Sequence, residues 1–444
     1  MLNDKITLKD LSVFSSDEGS SIFGLLSNTT TQAGKDMLRR HIQKPPATYE
    51  QLQQMQDVIK YFSIHTDKWP SVITNGTLVM LEKFFDAADA MSSQPAGFSL
   101  VFGQFFQKYF NKGEYFFTQF SLSHLSDFLK GCMELVKLLA ENDLPEMLRK
   151  HLESMQQELQ HRLTDELVQI DKHTPFRELA KLSYKARREM KSPTFRLIDA
   201  YAKLDAWQAM ANAGSKHGWV FPQLLSQTQS VLEATDFYHP LLQQPVPYTI
   251  ALSGKKNFLL LTGANMSGKT TFMRALGVGA LLAHLGMAVP AKAMQVSFLE
   301  GVITNMHVED NIIRGESYFF AEVQRMKLTA QQLQNEGSRL VLMDELFKGT
   351  NVHDAYECTR AVINGLLNHP HHLMILSTHL YEVAQHFSNN ESIRFAYFET
   401  EMREGEQFHF TYRLKEGISN DRIGYRILQQ QGVLSLLDKS KTKG

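Results

Sequence analysis

One eight-residue stretch constrains this chain more than any other: Gly263-Ala-Asn-Met-Ser-Gly268-Lys269-Thr270. It fits G-x-x-x-x-G-K-[ST], the P-loop. The glycines let the backbone wrap so that its N–H groups point inward at phosphate oxygens, and the following helix N-terminus adds positive potential. Gly263, Ala264, Asn265, Met266, Ser267, Gly268, Lys269, Thr270 and Thr271 form the expected cradle. In it, Lys269 reaches the β and γ phosphates and Thr270 places its hydroxyl on Mg²⁺. The context agrees: the apolar run Phe258 to Thr262 precedes the loop, and a helical pattern follows from Thr271.

Two further apolar runs, Leu340 to Met343 and Leu373 to Ser377, have strand length. Continuous apolar runs separated by helical patterns indicate parallel strands buried on both faces, so α/β structure is expected from about residue 226 onward. The run Leu340 to Met343 continues into Asp344-Glu345. This predicts a Walker B strand, with Asp344 holding Mg²⁺ and Glu345 orienting or deprotonating the attacking water. A second carboxylate beside the first favours ATP hydrolysis over transfer to a small metabolite. His379 follows the third run as Ser377-Thr378-His379. The carboxyl end of a buried strand faces the ligand crevice of an α/β sheet, so His379 is a candidate for the γ-phosphate or its water. Ser317, just before the run Tyr318-Phe-Phe-Ala, reads from spacing alone as a helix cap.

Residues 1 to about 225 read as helix. Leu144, Leu148, Leu152, Met155, Leu159, Leu163, Leu167 and Ile170 mark one stripe of a long amphipathic helix, and a second helix is expected from about Pro193 to Ala213. The chain has 46 Lys and Arg against 47 Asp and Glu, a formal net charge of -1, which excludes a strongly basic, histone-like binder. Cys132 and Cys358 cannot build a disulfide framework, and the N-terminus is polar from its third residue, without a signal-peptide run. A cytoplasmic chain with no membrane segment is expected. The most apolar stretch, Ala275 to Val289, suits a buried helix.

These residues together resemble the MutS mismatch-repair ATPases of the ABC-type superfamily. The loop with Asn265 and Met266 is distinctive of that family. Met287 to Ala291, Gly315 to Val323 with Ser317 and Glu322, Val341 to Thr350, Ser377 to His379 and Phe237 to Pro240 resemble further motifs of its ATPase domain. Ile418 to Val433, with Ser419, Gly424 and Tyr425, is similar to its closing helix region, and Leu25 to Arg40 resembles the start of its lever. The resemblance implies a helical core or lever domain over 1–225 followed by an α/β P-loop ATPase domain over 226–444. It implies ATP and Mg as ligands and a homodimer whose nucleotides lie at the shared interface. There Ser317 acts in trans, beside Lys269, Glu345 and His379.

The departures are also informative. The sequence shows no mismatch-reading or connector segment ahead of the lever-like residues, and no clamp between the helices near Ile170 and Pro193. Pro245 stands where the family's adenine-stacking aromatic is expected, with Tyr248 and Tyr238 nearby, and Glu316 stands where an Arg is common. Lys172, Arg177, Lys181, Lys185, Arg187, Arg188, Lys191 and Arg196 concentrate positive charge where the clamp would lie. They read either as phosphate contacts to double-stranded or branched DNA, with Lys185, Arg187, Arg188 and Lys191 as candidates, or as a solvated helix face. Two functions follow: an ATP-driven machine acting on a mismatch-repair or recombination-type DNA structure, or a nucleotide-switched protein-interaction module without DNA.

Overall fold

The three apolar runs are neighbours in one sheet. The computed structural model describes residues 4–65, 69–86, 112–171, 173–226, 230–254, 256–264, 266–306, 317–403, 407–419 and 433–437. Its strands are β1 (Gln223–Leu225), β2 (Val231–Phe237), β3 (Tyr248–Ser253), β4 (Phe258–Thr262), β5 (Ala293–Ser297), β6 (Gly301–Asn305), β7 (Arg339–Asp344), β8 (Leu373–Ser377), β9 (Ile393–Arg403) and β10 (Gln407–Glu416). One sheet runs β10-β9-β4-β8-β7-β6, parallel throughout except for the β9–β10 hairpin. All five residues of β4, β6 and β8 are buried, which is why alternation is missing from their sequences. The second sheet runs β1-β5-β2-β3, and its strand β2 alternates buried and exposed residues in part, as a one-sided sheet does.

The helix Lys269–His284 follows the P-loop, and every residue from Ala275 to His284 is buried. Gly277 makes this packing possible: a Cβ there would sit 2.6 Å from Leu11 Cδ2 and 2.9 Å from Leu342 Cδ1. The described residues fall into two compact units. One holds 1–25, 43–53 and 214–444; the other holds 26–42 and 54–213. The expected division at residue 225 placed residues 1–25 with the helices, whereas here the short helix Lys5–Asp10 lies against β6. No sequence periodicity reports a contact across some 300 positions.

The helical unit is built from Gln32–Gln43, Tyr49–Ile64, Asn75–Asp86, Lys112–Val136, Glu146–Leu159, Phe176–Glu189 and Lys191–Lys216, with shorter turns between. The expected second helix is present and longer than predicted. The expected continuous helix from Leu144 to Ile170 is instead two, Glu146–Leu159 and Thr164–Val168. The apolar stripe survives the break because Leu163, Leu167 and Ile170 remain buried on the far side of it. Inside the unit Asp205 accepts from Thr30 N (2.8 Å), Thr31 N (2.9 Å) and Thr31 Oγ1 (2.7 Å), anchoring the start of Gln32–Gln43. Gly34 permits this approach, since a Cβ there would lie 2.2 Å from Asp205 Oδ2. Among the described residues no helix is long and apolar enough to cross a membrane.

Candidate nucleotide site

The site gathers at the carboxyl ends of β4, β7 and β8, where the sheet order puts three loops side by side. The P-loop backbone is bent as its glycines require, with φ of 137° at Gly263 and 110° at Gly268. Met266 also takes positive φ and is 75% exposed, whereas Ser267 is buried, its hydroxyl without a hydrogen-bond partner among the described residues. Asn265 lies outside the described residues. Lys269 is buried and donates to the carbonyls of Gly263 (2.8 Å) and Ala264 (3.0 Å). Burial lowers its pKa, opposed by Glu345 and Asp344. Thr271 is partly exposed in the first turn of the helix.

Thr270 Oγ1 donates to Asp344 Oδ2 at 2.6 Å, and Ser377 donates to the other carboxylate oxygen. The hydroxyl and carboxylate expected to share a metal are thus in contact across β4, β8 and β7. Glu345 takes φ of 54°, a strained value for a side chain with a Cβ, and its N–H donates to Ser377 O at 3.0 Å. That turn aims its carboxylate at three cationic or imidazole groups: Lys348 Nζ at 3.2 Å, Lys269 Nζ at 3.5 Å and His379 Nδ1 at 3.7 Å. Burial opposes ionisation of Glu345, but His379, Lys348 and Lys269 outweigh it and hold the pKa at about 2. Lys348 and Ser377 were not singled out for roles from sequence. The i,i+3 spacing of Glu345 and Lys348 was the available signal.

Ser317 is exposed and caps the helix Tyr318–Leu333, accepting from Phe320 N at 3.3 Å. Gly315 and Glu316 lie outside the described residues, as do Gly424 and Tyr425. Glu322, one turn into this helix, accepts from Lys348 N and Gly349 N, both at 3.0 Å. A Cβ on Gly349 would meet Phe319 N at 2.6 Å, so glycine is required where loop and helix touch. A cavity of about 20 Å³ borders Tyr318, Glu322, Arg325, Asp344, Glu345 and Lys348, room for about one water.

Of the aromatics near the loop, Tyr248 belongs to the core. It packs with Phe237, Phe272 and Phe398 at centroid distances of 5.4 to 5.8 Å, and burial raises its hydroxyl to about 12. Tyr238 is half-buried, with its N–H bound to Pro290 O. In the helical unit, the basic residues of Phe176–Glu189 are largely partnered. Lys185 meets Glu166 at 3.2 Å, Arg188 donates to Tyr184 Oη at 2.8 Å, and Arg187 lies 4.4 Å over the Phe84 ring. Lys191 opens the next helix half-buried, and Lys172 lies outside the described residues.

His369, His371 and His372 cluster at the opposite end of β8, within metal-ligand reach of one another. The buried His372 has both ring nitrogens engaged, with Arg339 N at 3.2 Å and Leu333 O at 3.1 Å. Two imidazoles remain, fewer than a structural transition-metal site uses.

A glycine-bent loop between a buried parallel strand and a helix, facing an Asp-Glu pair two strands away, defines a P-loop protein of the α/β class. Residues 259–441 match the family model of MutS domain V. The chain is 31% identical over 242 residues to the DNA mismatch repair protein msh3 of Aspergillus fumigatus, covering 52% of this chain and 21% of that protein. It is 29% identical over 276 residues to the DNA mismatch repair protein MutS of Lawsonia intracellularis, covering 59% of this chain and 30% of that one. Over residues 259–441 the chain is thus similar to the ATPase domain of the MutS family. The matches span less than a third of either relative's length.

Proposed function

We propose that the chain binds and hydrolyses ATP with Mg²⁺ as a homodimer, and that its nucleotide state moves the helical unit, residues 26–42 and 54–213, as a lever on double-stranded or branched DNA in the cytoplasm. The observation that carries this reading is the contact of Thr270 with Asp344 at 2.6 Å, with Glu345 and Lys269 3.5 Å apart beside it. The residues present suit a magnesium-bound triphosphate. The loop has positive φ at both glycines, and the buried Ser267 hydroxyl has no partner among the described residues. Thr270 and Asp344 would hold the ion, which when bound polarises phosphate oxygens.

The remaining work falls to side chains. Lys269 neutralises phosphate oxygens, exchanging its bonds to the loop carbonyls for stronger ones to an anion. Glu345 accepts a hydrogen bond from water and orients it, and takes its proton as attack proceeds. Its low pKa makes it a weak base while His379, Lys348 and Lys269 face it, so withdrawing Lys269 toward phosphate raises its basicity. His379, with its side chain 53% exposed, contacts the γ-phosphate side of the same crevice. Ser317, exposed at a helix N-terminus, completes the nucleotide site of the second copy. Names of the relatives, both DNA mismatch repair proteins, support DNA as the partner.

The deciding experiment is the Mg²⁺-dependent ATPase rate without DNA and with duplex, mismatched, branched and single-stranded DNA at two salt concentrations. Hydrolysis that one DNA form changes, less so at high salt, is expected. No hydrolysis under any condition sinks the reading.

A further inference from the structure

We propose that the first helix of the chain is a positioning element for the nucleotide machinery: Asp4 and Asp10, acting through Arg325 and the edge of β6, fix the helix that carries Ser317. The proposal rests on the reading in which Ser317 completes the partner's site.

β6 is an edge strand of the six-stranded sheet. The outward groups of Thr304 and Met306 therefore need partners from outside the ladder. Thr7 and Asp10 supply them. Thr304 N donates to Thr7 Oγ1 at 3.2 Å, and Thr304 Oγ1 and Met306 N donate to Asp10 Oδ2 at 2.6 and 3.1 Å. The carbonyl of Thr304 accepts from Arg325 Nε (3.2 Å) and Nη2 (2.6 Å). Arg325 Nε also reaches Asn305 Oδ1 at 2.8 Å, and Nη1 reaches Asp4 Oδ2 at 2.6 Å. Arg325 sits in the second turn after Ser317 and is 8% exposed; Asp10 is 2% exposed.

Capping an edge strand needs only hydroxyls and carbonyls. A buried guanidinium whose carboxylate partner is Asp4 alone does more, because such a group tolerates few geometries and losing that partner leaves its charge unmatched. The network grips the chain at Met306 and again at Arg325, on either side of the residues leading to Ser317. Arg325 also borders the cavity that reaches Asp344 and Glu345. Leu11, next along, seats on Gly277 of the P-loop helix. One short segment thus touches the strand edge, the Ser317 helix and the P-loop helix.

The test uses Asp4→Asn and Asp10→Asn in the full chain, with ATPase kinetics and thermal midpoint recorded together. Asp4 is partly exposed, so its variant keeps the fold if Asp10→Asn does not. The expected result for Asp4→Asn is a fall in kcat of about tenfold, the scale of a small misplacement of a catalytic group, with KM for ATP within about twofold. Asp4→Glu, which keeps the charge, restores most of the rate. Mixing Asp4→Asn with Glu345→Gln should give more activity than the sum of the two alone, because the first chain's intact P-loop then faces the second chain's intact Ser317 helix. Unchanged kcat, or a loss seen in KM alone, overturns the proposal. So does a mixture no more active than its parts, provided that Ser317→Ala mixed with Glu345→Gln does regain activity. If that control mixture also stays silent, the trans role of Ser317 fails, and this proposal falls with it.

Discussion

The two units place their charges in opposite ways. In the sheet unit, Lys269, Asp344, Glu345, Lys348 and His379 converge from three loops, and the arrangement is enforced by backbone that an ordinary residue avoids, as at Glu345 with its φ of 54°. In the helical unit, apart from the buried Asp205, charge lies along exposed faces in pairs: Arg162 with Glu189, Lys185 with Glu166, Arg196 with Glu158. Exposed pairs of this kind add little to stability. Convergent charge held against strain marks a place where chemistry outranks stability; dispersed pairs mark a surface kept wet and regular.

The comparison breaks most readily at the P-loop. Lys269→Ala removes the cationic group of the cradle, and ATP affinity should fall by about 100-fold or more. Binding of a fluorescent ATP analogue checks this, and retained affinity would show that the loop amides suffice. Glu345→Gln keeps shape and loses the base; turnover should fall by about 100- to 1000-fold with ATP still bound. Turnover near wild type in that variant would remove Glu345 from the mechanism.

In the helical unit the sharpest change is Gly34→Ala. The added methyl collides with a carboxylate already committed to three donors, so a loss of about 3 kcal/mol is expected in chemical denaturation. A change under about 0.5 kcal/mol would mean that Asp205 is free to move.

Acid tests both units at once. Burial holds His41 and His151 in the helical unit, and His239, His284 and His372 in the sheet unit, at about 4. Each is neutral when folded and gains a proton on unfolding below about 6.5, so the unfolded chain binds more protons and stability falls as pH drops from about 6.5 to 4. The limiting slope is about 1.4 kcal/mol per pH unit for each histidine. Urea midpoints at pH 7 and pH 5 measure it, and a flat profile would contradict the neutral assignments.

The smallest effect belongs to the basic helix. Arg188→Glu with Lys191→Glu should weaken any DNA stimulation several-fold at low salt and leave basal hydrolysis intact. Arg187 is better left alone, since its guanidinium covers Phe84.

The sequence was readable where structure is local. The P-loop, the strand ending in Asp344-Glu345 and the strand before His379 each announce themselves within ten residues, because glycine, lysine and a buried apolar run have fixed jobs there. Ser317 as a cap was readable for the same reason. Three things were not. The break at 160–163 left no trace in the apolar stripe, which continues through it. The partners of the basic stretch, such as Glu166 and Phe84, lie one or more helices away. The third was Asp10: it reads as the end of an unremarkable polar segment, yet it satisfies a strand edge 294 and 296 positions later.

That last separation has a consequence for how the molecule is made. Synthesis runs from the amino end, so Thr7, Asp10 and Leu11 emerge long before β6 and the Ser317 helix exist to receive them. The sheet unit cannot close until β9, residues 393–403, has been synthesised to pair with β4, whereas the stretch 54–213 has by then been complete for some time. Folding order should therefore run from the helical stretch outward, with residues 4–11 among the last to settle.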